Sequence, residues 1–132
     1  MPFIHVRVAR ARLGSEQIHR LQHGVTAMMA GVLRKKAELT SVLVKEAPVA
    51  DWSIGGKPIA VAAHLDAKIT AGTNTTAEKA RFIADANALL KTVVGAALPV
   101  ATYVVIDEVP GDAWGYDGLT QAHRATANQS TL

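Results

Sequence analysis

Shifted by 62 residues, the chain lines up with itself without a gap. Glu16 falls on Glu78, Thr40 on Thr102, Val42 on Val104, Glu46 on Glu108, Pro48 on Pro110, Trp52 on Trp114 and Gly56 on Gly118. The clearest shared piece is Glu-x-Pro-x-x-x-Trp, which places both tryptophans of the protein at equivalent positions. An internal period of this kind marks a repeated supersecondary unit, here two diverged copies of about 60 residues each. Any fold proposed for one half must therefore serve the other.

The apolar spacing gives the unit its shape. In the first copy Ile18, Leu21, Val25, Met28 and Val32 recur at helical intervals, with Ser15 as the expected N-cap. In the second, Phe82/Ile83, Ala86, Leu89/Leu90, Val93/Val94 and Ala97 form a similar stripe behind a Thr75–Glu78 capping box, and Pro99 is expected to end it. Strand patterns flank each helix. Ile4, Val6 and Val8 alternate with Phe3, His5 and Arg7, Thr40–Val44 and Thr102–Ile106 are β-branched runs, and Val61–Ile69 forms a weaker strand. The second β-branched run is nearly continuous, which predicts that it is well buried.

The order β-α-β, β-α-β predicts an α/β fold. Tandem units build a four-stranded mixed sheet with two helices on one face, because strands joined through a helix run parallel. The other face carries His5 and Arg7 and must meet water or a partner, so a homo-oligomer is expected. Trp52–Gly56 and Trp114–Gly118 read as hairpins or turns, and residues from His123 onward as a loose tail.

Composition narrows the chemistry. The absence of cysteine removes disulfides, thiol nucleophiles and thiolate metal sites. No apolar run approaches the roughly 20 residues needed to cross a bilayer, and the start of the chain lacks the order of a secretion signal, so no membrane partner and a cytoplasmic location are expected. Residues 1–57 hold nine Lys/Arg against four acidic residues, while the remainder holds five against seven. A basic half suits an anionic ligand. The basic residues are scattered and only six aromatics are present, which speaks against nucleic acid. His19 and His23 share a helix face but lack the glutamate of a metalloprotease motif, so no metal is expected.

Pro2 is the most informative single residue. Removal of Met1 would leave a secondary amine, and an N-terminal amine has a reference pKa of only about 8. Burial or a nearby cation lowers it further and leaves a neutral base. Pro2 ahead of an alternating strand, Ser15-Glu16-Gln17 opening a helix, Leu39-Thr40-Ser41-Val42 entering a strand and Trp52-Ser53-Ile54-Gly55-Gly56 together resemble the 4-oxalocrotonate tautomerase family. With the repeat, the chain resembles a fused, two-unit member of the tautomerase superfamily. The implied organisation is one tautomerase/MIF-like domain over residues 1–122, made of pseudo-repeats 1–60 and 61–120, with 123–132 as a tail.

The resemblance further implies a cofactor-independent keto–enol isomerase that assembles as a homotrimer and acts on a small anionic carboxylate. Pro2 would be the catalytic base, Arg12 or Arg10 would hold the carboxylate, and Trp52 would wall the pocket. Leu43 stands where single-unit members carry a second arginine, Val105 is its repeat equivalent, and Ala71–Thr75 lacks the arginines of decarboxylase and dehalogenase members. The resemblance therefore also admits a non-catalytic or only promiscuously active binding and assembly protein, or a proline-dependent hydratase or decarboxylase. Shifted by 62, Pro2 lands on His64, so at most one catalytic amine exists per chain, and the second copy is expected to supply walls, through Tyr103 or Trp114.

Overall fold

The alternation in the first strand decides the layering. In β1 (Phe3–Ala9) Ile4, Val6 and Val8 are wholly buried, while Phe3 and Arg7 are exposed. β1 lies parallel to β2 (Ser41–Glu46), Phe3 opposite Ser41, and antiparallel to β5 (Ala62–Thr70), Phe3 opposite Lys68. β5 in turn lies parallel to β6 (Tyr103–Val109), giving the sheet order β2-β1-β5-β6. The crossovers are α1 (Ser15–Gly31) and α2 (Thr76–Val93), and both pack on one face of the sheet. Leu21, Val25 and Met29 of α1 and Phe82, Ala86 and Leu90 of α2 form a single core with Ile4, Val6, Leu65, Ala67 and Ile69. This is the α/β architecture the repeat predicts. The computed structural model describes residues 2–127; Met1, whose removal was expected, and residues 128–132 of the expected tail lie outside the described residues.

Two short ribbons complete the units, β3 (Ser53–Ile54) with β4 (Lys57–Pro58) and β7 (Gly115–Tyr116) with β8 (Leu119–Thr120). Their turns, Gly55-Gly56 and Asp117-Gly118, hold positive φ at both central residues, as two-residue hairpins require. Gly115 permits the second ribbon to close, since a Cβ there would lie 1.9 Å from the Leu119 carbonyl oxygen.

Several details differ from the sequence reading. Gly14 rather than Ser15 precedes α1, and its N–H donates to Gln17 Oε1 at 2.9 Å. The capping box of α2 forms as expected: Thr75 Oγ1 accepts from Glu78 N–H at 3.1 Å and Glu78 Oε1 from Thr75 N–H at 2.9 Å. That helix stops at Val93, because the chain turns at Gly95 to tuck Leu98 into the core; Ala97 is exposed and Pro99 plays no part in the stop. β6 is not well buried. Tyr103 is 66% exposed and Val105 39%, since the strand is at the sheet edge and only its helix-facing side is covered.

Nor does the chain become a loose tail at His123. Residues Gln121–Ala127 form α3, whose Gln121 N–H donates to the Trp114 carbonyl at 3.0 Å. Arg124 donates to the Tyr116 carbonyl and stacks on its ring at 3.9 Å, fastening the helix to the second hairpin.

The pairing registers also correct the internal alignment. Phe3–Ser41 opens the first parallel pair and His64–Tyr103 the second, so β1 maps onto β5 with an offset of 61 and β2 onto β6 with 62. The counterpart of Phe3 is His64, and that of Pro2 is Ala63. Side-chain parity agrees: Pro2 and Ala63 are buried, whereas Phe3 and His64 lie on the bare face.

Candidate active site

Pro2 heads β1 and is fully buried, its carbonyl accepting from Ser41 N–H at 3.2 Å. Because β1 and β5 are antiparallel, the head of β1 meets the tail of β5, and the second hairpin arrives there too: Trp114 Nε1 donates to Thr70 Oγ1 at 3.2 Å. The end of α1 reaches the same end of the sheet, since α1 runs back over β1 before β2 starts opposite Phe3. There Asn74 Nδ2 donates to the Leu33 carbonyl at 2.9 Å. Arg34 grips both carboxylate oxygens of Glu78, at 2.7 and 3.3 Å, and Lys35 Nζ donates to Thr73 Oγ1 at 2.7 Å.

This joint shifts two groups. Hydrogen bonds from Arg34, from the Thr75 backbone and from Asn74 hold the Glu78 carboxyl down at about 2. Burial, reinforced by the charge of Arg34 and opposed by Glu78 and Glu108, lowers the Lys35 ammonium to about 8. A lysine held below its unfolded value near 10.4 binds fewer protons in the fold than in the unfolded chain, so stability rises with pH between those two values. Lys35→Met is therefore expected to abolish that rise, read as the difference between the two proteins' urea midpoints at pH 7.5 and pH 10.

The other expected site residues lie at the far end of the sheet. Arg10 is spent on structure, its Nη1 donating to the Val94 carbonyl at the end of α2 at 2.7 Å. Arg12 is exposed in the loop ahead of α1. Trp52 is half-buried and lines an open cleft of about 640 Å³ with Arg7, Lys45, Glu46, Ala47, Pro48, Asp51, Ser53 and His64. The seven residues of β1 separate Pro2 from Arg10, about 26 Å at the roughly 3.3 Å rise of a strand. A single chain thus does not bring Pro2 together with Arg10, Arg12 or Trp52.

The geometric reason is that β1 and β2 are parallel, so the loop after β1 and the hairpin after β2 both lie at the end of the sheet away from Pro2; the antiparallel union of the two units then places each unit's hairpin beside the strand head of the other. Ala63, the counterpart of Pro2, lines a hollow of about 340 Å³ with Trp52, His64, Ala101 and Tyr103. The same relation puts Trp114 at the Pro2 end. Sequence reasoning missed Lys35 and the Arg7–Lys45–His64 row; the signal for the latter was their shared strand parity on the bare face. His19 and His23 are exposed on α1, and among the described residues no group of three or more His, Asp or Glu side chains is placed to hold a metal ion. No helix among the described residues is long and apolar enough to cross a membrane.

Comparison with known proteins bears on the family and the fold. The family profile for tautomerase enzymes matches residues 2–62, which is the first unit. The curated protein "Probable tautomerase K2" of Dickeya dadantii is 32% identical over 59 residues, 45% of this chain and 88% of that protein. Among solved structures, a wild-type fused 4-OT described as an asymmetric trimer is 25% identical with a TM-score of 0.78, covering 92% of this chain and 97% of that one. A native fused 4-OT shares the fold at a TM-score of 0.80 and 22% identity, over 92% and 97% of the two chains. A macrophage migration inhibitory factor-like protein from Entamoeba histolytica does so at 0.75 and 20%, over 90% and 97%. One short relative matched over 88% of its length, and fused two-unit proteins matched over nearly all of theirs, lead to one conclusion: the chain belongs to the tautomerase family, as a member in which two β-α-β units are fused.

Proposed function

We propose that, after loss of Met1, the chain catalyses enol–keto conversion of a small unsaturated 2-hydroxy or 2-oxo carboxylic acid, with Pro2 as acid and base. The observation that carries this reading is the complete burial of Pro2 at the head of β1. A terminal amine there loses hydration, which disfavours its ammonium form and lowers a pKa that starts near 8. The neutral nitrogen takes the proton of the enol hydroxyl, the electrons move along the conjugated chain, and the ammonium returns a proton to carbon. No net proton is gained or lost.

Trp114, held by Thr70 at the same end, is the wall that excludes water. The cation for the carboxylate is Arg12 of a second copy, because within one chain it lies too far from Pro2. A homotrimer accounts for this and for Phe3, Leu43, Tyr103 and Val105, apolar side chains exposed on the bare sheet face of one chain; the trimeric fused 4-OT structures support the same assembly. Leu43 and Val105 leave the clamp one arm short, which favours a monocarboxylate such as phenylenolpyruvate over a dicarboxylate.

The test is selective labelling. Near pH 7, 3-bromopropiolate is expected to modify one nitrogen per chain, found by peptide mass on a peptide that begins at Pro2. A retained Met1, or label distributed over the lysines, overturns the proposal.

A further inference from the structure

We infer that Arg34 is a positioning residue for Pro2: by gripping Glu78 it fixes the segment that runs from α1 to β2, and that segment holds Pro2 at the head of β1. The inference rests on the proline chemistry proposed above. Its starting point is the backbone. Arg34 has a φ of +60°, in the left-handed region, where the chain turns back after α1 and Lys35 N–H donates to the Met29 carbonyl at 2.9 Å. Glycine takes this conformation freely, whereas a residue with a side chain is strained there. Such strain persists where the surroundings hold the residue in place, and it gathers at functional sites.

What holds Arg34 lies in the other unit. Its Nε donates to Glu78 Oε2 at 2.7 Å, while Nη2 donates to Glu78 Oε1 at 3.3 Å and to the Thr73 carbonyl at 3.1 Å. A forked, charge-assisted contact fixes direction as well as adding strength. The flanking residues tie the same joint: the Leu33 carbonyl accepts from Asn74 Nδ2, and Lys35 Nζ donates to Thr73 Oγ1. The segment then ends at Ser41, whose N–H donates to the Pro2 carbonyl. On the other side, Thr73 Oγ1 donates to the Thr70 carbonyl at 2.7 Å, and Thr70 Oγ1 holds Trp114. The joint is thus connected to Pro2 and to the aromatic wall beside it.

The internal repeat supplies a control. Gln17 is the third residue of α1, as Glu78 is of α2. Gln17 Nε2 donates to the Val93 carbonyl at 3.3 Å, and the Val94 carbonyl accepts from Arg10 as the Leu33 carbonyl accepts from Asn74. Gly95 follows Val94 where Arg34 follows Leu33. The joint at the end headed by Ala63 therefore uses a neutral amide with no guanidinium facing it, and the ion pair belongs to the end headed by Pro2. Arg34 follows α1 and Glu78 opens α2, so both lie on the helix side of the sheet, away from the bare face where partner copies dock in a trimer.

Ketonisation of phenylenolpyruvate by the full chain tests this. Arg34→Gly removes the guanidinium and suits the backbone. Glu78→Gln keeps the acceptor of the capping box, removes the charge and copies the first unit. In each, kcat is expected to fall about tenfold with KM within about twofold of the wild type, the pattern of a base held slightly out of place. The double variant should lose no more than either single one, because the same contact is gone in all three. Hydrogen exchange in the peptide covering residues 33–41 should quicken about tenfold in these variants, with β5 unchanged. Arg81→Gln breaks the exposed Arg81–Asp85 pair on α2 and should leave turnover as it is. Wild-type kcat in Arg34→Gly or Glu78→Gln, losses that multiply in the double variant, or unchanged exchange at 33–41 overturns this inference and leaves the proline chemistry standing. A wild type without turnover strikes both.

Discussion

A chain carrying one additional residue ahead of Pro2 in the mature protein is expected to lose enol–keto turnover, with kcat/KM falling by about 100- to 10,000-fold, the usual contribution of a positioned acid–base group. The added residue turns the proline nitrogen into an amide, which has no basicity, while the ring stays where it is. Pro2→Ala is expected to fall between the two, because it keeps a terminal amine but loses the ring that fixes it at the head of β1. Ketonisation of phenylenolpyruvate, followed by absorbance, reads both variants. Equal rates in all three proteins would show that the reaction, if present, does not run through this nitrogen. Circular dichroism should be unchanged in each, since among the described residues Pro2 is held by its carbonyl, which accepts from Ser41 N–H, and both variants keep that carbonyl.

The second large effect is on stability. Phe82 is wholly buried under the sheet, in one cluster with Leu65, Ile69 and Leu90. Phe82→Ala is expected to cost about 3–5 kcal/mol, the lost transfer energy together with the cavity left behind. Ile83, the next residue, is 41% exposed, and Ile83→Ala should cost well under half as much. Urea midpoints give both values. They must be compared at one protein concentration, because assembly stabilises the folded chain by mass action. A Phe82→Ala cost near that of Ile83→Ala would mean that α2 does not seat on the sheet as described.

Most of the architecture was readable from the repeat, the two helical stripes and the alternation in β1. These are local patterns fixed by burial on one side of an element, and Leu21, Val25, Phe82 and Ala86 keep the places their spacing assigns. What resisted reading depended on how the units meet. Internal similarity says that two copies exist but not that β1 and β5 lie antiparallel, and that relation sets Trp114 near Pro2, while the parallel β1–β2 pair keeps Trp52 at the other end. The offset of 61 in one strand pair against 62 in the other is likewise invisible to an ungapped shift. Arg10 looked like a ligand for a carboxylate because its partner, the Val94 carbonyl, is a backbone group 84 residues away. Val105 looked buried because a β-branched run reads alike in a central strand and at an edge.

The peptide bond joining Ala62 to Ala63 has a consequence for how many reactive ends one sheet can display. Two separate polypeptides arranged as these halves are would each contribute a free amino group, one per strand head. Covalent union has removed one of the two, and no side chain installed at position 63 can bring it back, because what is absent is a chain end rather than a residue type. Only scission ahead of that position would restore the lost symmetry; in the intact polypeptide the two ends of the sheet are free to serve different chemistries.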